Sequence, residues 1–228
     1  MEAKLTAAMV VRSAVWIALM GAALFLGAGD WTWPQGWAFV VLFALMSLGF
    51  GVWLGRRDPA LLASRLKLVQ EGTAWWDRIF LALFIAAWFG WLVAMGMDAR
   101  RYHWSSVPSW VGPLGALLVI AGFLATMRVF AENSFAAPVV RLQAERGQRV
   151  IDTGPYALMR HPMYASALLY LIGIPLMLGS LWGLVYVPLV LIGLGPRAMA
   201  EERLLARALP GYADYMQRVR WRLIPYLW

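Results

Sequence analysis

The chain has 228 residues, 62% of them hydrophobic and 14% charged, and carries a formal net charge of +8. That balance excludes an ordinary soluble domain and points to several bilayer-spanning helices. The absence of cysteine, with only His103 and His161 as histidines, excludes disulfides, thiolate nucleophiles, zinc–thiolate sites and a multi-histidine metal centre.

Apolar runs fall at 7–27, 35–54, 79–97, 110–130, 163–178 and 181–195. The first four reach the roughly 20 residues that a span requires at ~1.5 Å of rise each. Arg12 interrupts the start of the first run and no small-x-small site ends it, so a cleaved signal is not expected. Gly51 and Gly55 form a small-xxx-small pair suited to close helix contact. Residues 56–76 read as an amphipathic connection with Arg65 and Lys67 outward. Leu61, Leu62, Leu66 and Val69 would lie either on the membrane surface or against the bundle itself. The last two runs are short, yet no charge occurs from 163 to 196. Gly179-Ser180 is the expected turn of a tight hairpin, followed by a separate basic helix over 196–209 that Pro210-Gly211 ends.

All but two of the 20 Lys and Arg residues fall in alternate connections and the two ends, leaving Arg100 and Arg101 opposite. The positive-inside rule then makes both termini cytoplasmic, and six spans fit. The positive charge therefore reads as topology and not as a nucleic-acid surface. The expected fold is an all-α polytopic membrane bundle of about six spans. Residues 1–130 would form a four-span membrane region, and 131–228 a core holding the chemistry.

Polar residues concentrate in that second part. In Arg160-His161-Pro162, the proline bars His161 from helical geometry and opens the next span, so His161 should mark the helix start. The segment is either an interfacial anchor or one wall of a polar site. Arg197 and Glu201 share a helix face. They make either a bland ion pair of ~0.3–0.5 kcal/mol or a clamp for a carboxylate and an amine. Asn133, Gln143 and the run Gln148, Arg149, Val150, Ile151 supply amides and backbone groups able to read an adenine or ribose, or merely to cap turns. No hydrolase elbow, P-loop, dinucleotide loop or His-Glu-x-x-His occurs.

Gly154-x-Tyr156, Arg160-His161-Pro162-x-Tyr164, Arg197-x-x-x-Glu201-Glu202-x-x-Leu205, Tyr212-x-x-Tyr215 and Arg222-Leu223-Ile224-Pro225 follow in order. Over 133–225 the chain thus resembles the isoprenylcysteine carboxyl methyltransferase family, within the wider group that includes membrane phospholipid methyltransferases. The resemblance implies an integral membrane enzyme using S-adenosylmethionine, enclosed at the cytosolic face of the plasma or inner membrane. It implies cofactor contacts from Gln143, Gln148, Arg149, Val150, Ile151, Tyr156, His161, Pro162, Met163, Tyr164 and Glu201. Arg197, with Asn133, would fall on the substrate side. Ser166 departs from the pattern, where many relatives have Gly, and the segment between Leu205 and Tyr212 is about one residue shorter.

The expected acceptor is lipophilic, most simply the carboxylate of a prenylcysteine-like molecule. A carboxylate is ionised at neutral pH and needs no general base, so alignment and exclusion of water would suffice. A phospholipid amine or a small thiol is the alternative, with His161, Glu202 or a tyrosine to take the proton. A non-catalytic membrane scaffold would instead show no cofactor affinity. Membrane lipid is an expected partner; nucleic acid and metal are not.

Overall fold

The computed structural model describes residues 2–67, 74–136, 142–143 and 146–228. Val69, used in the sequence reading, lies outside them. The elements are all helical: α1 (Glu2–Ala28), α2 (Pro34–Arg57), α3 (Pro59–Arg65), α4 (Trp75–Gly96), α5 (Val111–Glu132), α6 (Pro162–Leu178), α7 (Tyr186–Ala208) and α8 (Tyr212–Arg218). By length and composition α1, α2, α4, α5 and α7 are able to cross a membrane, whereas α6 is shorter, at 17 residues. At ~1.5 Å per residue it reaches about 26 Å, just short of a ~30 Å hydrocarbon layer.

The break expected at Pro196 does not occur. The hairpin's second limb and the basic segment form one helix, α7, with Pro196 inside it. A proline there removes one hydrogen bond and crowds the carbonyl four residues back, a penalty of about 3 kcal/mol. Val190 and Leu194 before it and Ala198 after it are buried in one shared core, and that packing outweighs the local penalty. The hairpin turn itself is as expected. Gly179 caps α6 at φ 79°, a left-handed conformation open to glycine without strain. Asp98, wholly buried in the π-turn after α4, fixes this turn. Its Oδ2 accepts from Ser180 Oγ at 2.6 Å, Ser105 Oγ at 2.8 Å and Trp182 N at 3.2 Å.

The core joins both halves of the chain: Leu24, Phe39, Leu92 and Met95 pack with Val119, Leu168, Ile174 and Leu194. Outward faces carry exposed Val11, Leu19, Leu45, Leu83, Leu117 and Ile192, the pattern of helices solvated by lipid. Small residues let two helix pairs touch backbone to backbone. A Cβ on Gly173 would stand 2.8 Å from Gly115 O and 2.9 Å from Leu118 Cβ. Gly173→Ala is therefore expected to lower stability by about 1–3 kcal/mol through overpacking of α6 on α5, read as a lowered unfolding midpoint in detergent. An unchanged midpoint would show the pair separating freely.

Two ends are distinct. At one, Asp30 accepts from Arg100 Nε at 2.7 Å and from Thr32 N and Oγ1, each at 2.7 Å. Thr32's bonds first, and then Arg100, hold the Asp30 carboxyl down at about 2. Exposed Trp31, Trp104, Trp110 and Trp182 ring this end as an aromatic belt. At the other end the basic connections gather: Arg57 donates to Ala131 O at 3.1 Å, and Arg12 to Leu66 O. Leu61 and Leu62 of α3 are buried against Met9, Leu54, Val129 and Tyr156. Of the two placements open for this connection, the structure has the one against the bundle. Arg65, expected to face outward, instead turns inward, while Lys67 is exposed. Arg65 lies four residues after Leu61 and three after Leu62, so it shares their buried face.

Candidate functional site

His161 is the N-cap of α6 and Pro162 its first residue, as the sequence required. The backbone on either side of it is clamped by the tail. Arg160 N donates to Trp221 O at 2.9 Å and His161 N to Arg222 O at 2.8 Å. Beneath them lies Glu202, 3% exposed. Its Oε1 accepts from Arg160 Nε at 2.7 Å and from His161 Nε2 at 3.1 Å; its Oε2 accepts from Arg222 Nε at 3.1 Å. Arg160 Nη1 also donates to Val219 O at 2.9 Å and Arg220 O at 3.2 Å. Flanked by two guanidiniums, Glu202 is a carboxylate and can only accept, so His161 Nε2 is the protonated nitrogen. In the neutral imidazole Nδ1 is then left as the acceptor, 4.0 Å from Glu201 Oε2.

A second chain of contacts starts at Glu201. Tyr164, stacked on His161 with ring centroids 5.2 Å apart, donates its hydroxyl to Glu201 Oε2 at 3.0 Å. Arg197 Nη1 donates to that same hydroxyl. Arg197 Nε donates to Asp77 Oδ1 at 2.8 Å and Nη2 to Asp77 Oδ2 at 3.4 Å, both side chains being buried. Adjacent residues on α7 thus serve different networks, Glu202 toward the tail and Glu201 toward Tyr164, because successive helical side chains diverge by about 100°.

These groups border one pocket. His161, Pro162, Met163 and Tyr164 form its floor and Glu201 one wall. Tyr156, Asn133 and Gln143 face it from other sides, as does the run Gln148, Arg149, Val150 and Ile151. Leu205, Leu209, Tyr212 and Tyr215 extend the wall, and Phe135, Ala136 and Arg160 complete it. Local bonds make it firm. Asn133 Nδ2 donates to Tyr156 OH at 2.8 Å, Tyr215 OH to Tyr156 O at 2.8 Å, and Gln143 Nε2 to Phe135 O at 2.7 Å. Burial raises the pKa of Tyr156, Tyr212 and Tyr215 well above the usual phenol value, so none of the three is a ready base. Arg197 does not line the pocket; it stands behind Tyr164.

Asp77 was absent from the sequence reading, and so was the tail's hold on Arg160. A lone acid at the start of an apolar helix, in Trp75-Trp76-Asp77-Arg78, is the one local signal for Asp77; its partner lies 120 residues away. Arg222-Leu223 was noted as motif, but not as backbone partner of His161. Ser166, the departure from the family pattern, donates to Met163 O at 2.8 Å and accepts from Thr126 at 3.0 Å, tying the pocket floor to α5. Among the described residues no group of three His, Asp or Glu is placed to hold a metal.

Residues 110–210, α5 through α7, match the family model described as phospholipid methyltransferase. The chain is 30% identical over 111 residues to the Cobalt-zinc-cadmium resistance protein CzcN of Cupriavidus metallidurans, covering 48% of this chain and 49% of the relative. The chain thus spans about half the length of that curated relative.

Proposed function

We propose that the protein is an integral membrane methyltransferase that uses S-adenosylmethionine to methylate a lipophilic acceptor. One observation carries this reading: Glu201, His161 and the run Gln148 to Ile151, distant in sequence, face one pocket at the basic end of the bundle. Most of that wall lies within the segment matched by the methyltransferase family. The donor set suits the cofactor. Glu201 offers an acceptor to an ammonium or ribose hydroxyl, Asn133 and the Gln148 run offer amides and backbone to a base, and tyrosines offer aromatic faces.

Bound S-adenosylmethionine would supply an already activated methyl group on a sulfonium sulfur. The protein's part is positioning. Glu201 is held by Tyr164, Tyr164 by Arg197, and Arg197 by Asp77, so the acidic wall is preset with no rearrangement. Tyr156, Tyr212 and Tyr215 stay protonated, and Glu202 is engaged by two arginines and His161. An acceptor that enters already ionised, such as a prenylcysteine-like carboxylate, fits such a site best. We read 131–228 as the catalytic core and 1–130 as the membrane region that admits the acceptor, with α5 the wall between them. We also infer cytoplasmic termini and pocket, because the basic connections share the pocket's end.

Glu201→Ala is expected to weaken S-adenosylhomocysteine binding by about ten- to a hundredfold, the loss of one charge-assisted contact of ~1.5–3 kcal/mol. Calorimetry on the detergent-solubilised chain reads this directly. Wild-type protein with no saturable binding would return the molecule to a scaffold. Methyl-labelled cofactor with membrane lipid extract separates the acceptors: base-labile label marks an ester, stable label an amine or thioether.

A further inference from the structure

Arg149 and Arg160 line the pocket; two further arginines just behind that lining, Arg197 and Arg65, differ in one respect. A guanidinium grips an oxyanion best through two parallel N–H groups, and its Nε–Nη2 edge is one such fork. On Arg197 that edge is occupied, with Nε and Nη2 both on Asp77. On Arg65, among the described residues, only Nη1 is engaged, donating to Ala136 O at 2.8 Å and approaching Met163 Sδ at 3.9 Å. Its plane lies over the Phe130 ring, 4.6 Å from the centroid. Among the described residues no carboxylate pairs with it.

Arg65 is well placed for a ligand. Both of its polar contacts, Ala136 and Met163, are pocket-lining residues. The helix that carries it is fixed: Asp58 Oδ1 accepts from Leu61 N at 2.8 Å, and Leu61 and Leu62 are buried beneath it. A cation so placed has no carboxylate partner among the described residues. Burial first, and Arg197's charge second, lower its pKa to about 10, a direction that a bound anion would reverse.

We propose that Arg65, not Arg197, holds the oxyanion of the acceptor, a carboxylate or phosphate on a molecule with a long apolar chain. The inference rests on the methyltransferase reading for the word acceptor, but the anion site stands on Arg65's own geometry. The membrane-spanning bundle beside it supplies the surroundings that an apolar chain requires. Arg197 then acts as a positioning residue for Tyr164 and Glu201.

The test is equilibrium binding to the full chain in detergent micelles, without turnover. One arm compares N-acetyl-S-farnesylcysteine with its methyl ester; the other compares dioleoylphosphatidic acid with dioleoylglycerol. Wild-type protein is expected to prefer the anion in at least one arm by about tenfold or more, and that arm names the source of the oxyanion. Arg65→Gln should abolish the preference and Arg65→Lys should keep part of it, with S-adenosylhomocysteine affinity in both variants within about twofold of wild type. A preference that survives Arg65→Gln, or no preference in either arm, overturns the proposal. So does an equal loss of S-adenosylhomocysteine affinity, which would make Arg65 a support of the pocket wall. An Arg65-dependent anion preference in a protein that binds no S-adenosylhomocysteine would sink the methyltransferase reading and leave the anion site intact.

Discussion

Glu202→Ala is expected to be among the most damaging single substitutions in this chain, with a loss of about 3–5 kcal/mol. The side chain is 3% exposed and accepts from Arg160, His161 and Arg222. Its removal strands two guanidiniums against one another and frees the tail that holds the backbone of Arg160 and His161. Glu202→Gln keeps the shape and some hydrogen bonds but loses the charge, so it should fall between the two. Unfolding midpoints in detergent give the ranking. Hydrogen exchange should show faster opening at Arg160 and His161, whose N–H groups bond to Trp221 and Arg222. Wild-type exchange at those two amides in Glu202→Ala would mean that the tail is held by other contacts.

Asp77→Ala is the second large effect, again about 3–5 kcal/mol, because it leaves the Arg197 charge buried without its carboxylate. The double variant Asp77→Ala/Arg197→Ala should recover much of that loss, since the charges leave together. Activity should not recover. Arg197→Ala alone is expected to weaken S-adenosylhomocysteine binding by less than Glu201→Ala does and to lose turnover severely, since Tyr164 and Glu201 keep their groups but lose their orientation. Strictly additive stabilities across the cycle would show that the two side chains do not act as a pair. A collapse of cofactor affinity with turnover at saturation intact would assign Arg197 to the cofactor.

Much of this was legible in the chain because the signals are local. Span-length apolar runs, the helix start at His161-Pro162 and the left-handed turn at Gly179 each follow from a few adjacent residues. Pro196 misled for the same reason: a local rule predicts a break, and burial on both sides of it decides otherwise. Arg65 was placed outward by its charge, although its spacing from Leu61 and Leu62 puts it on their buried face. Asp77 was invisible because its meaning lies wholly in a partner on another helix. For the pocket, the sequence supplied the residues but no geometry. That Arg197 stands behind Tyr164, apart from the lining, depends on how α4, α6 and α7 pack, which no motif encodes.

The adjacency of Glu201 and Glu202 turns α7 into a phase-sensitive part. Each residue advances a helix by about 100°, so the two carboxylates cannot exchange roles, and an inversion of their order has no meaning for this pair. A single-residue insertion between Tyr186 and Glu201 would swing every later side chain by that angle. Glu202 would leave the tail arginines and Glu201 would leave Tyr164 together. Inserting four residues restores the bearing to within about 40°, although it displaces the helix end by ~6 Å. Length variation in this helix should therefore be tolerated, if anywhere, by turns and not by residues.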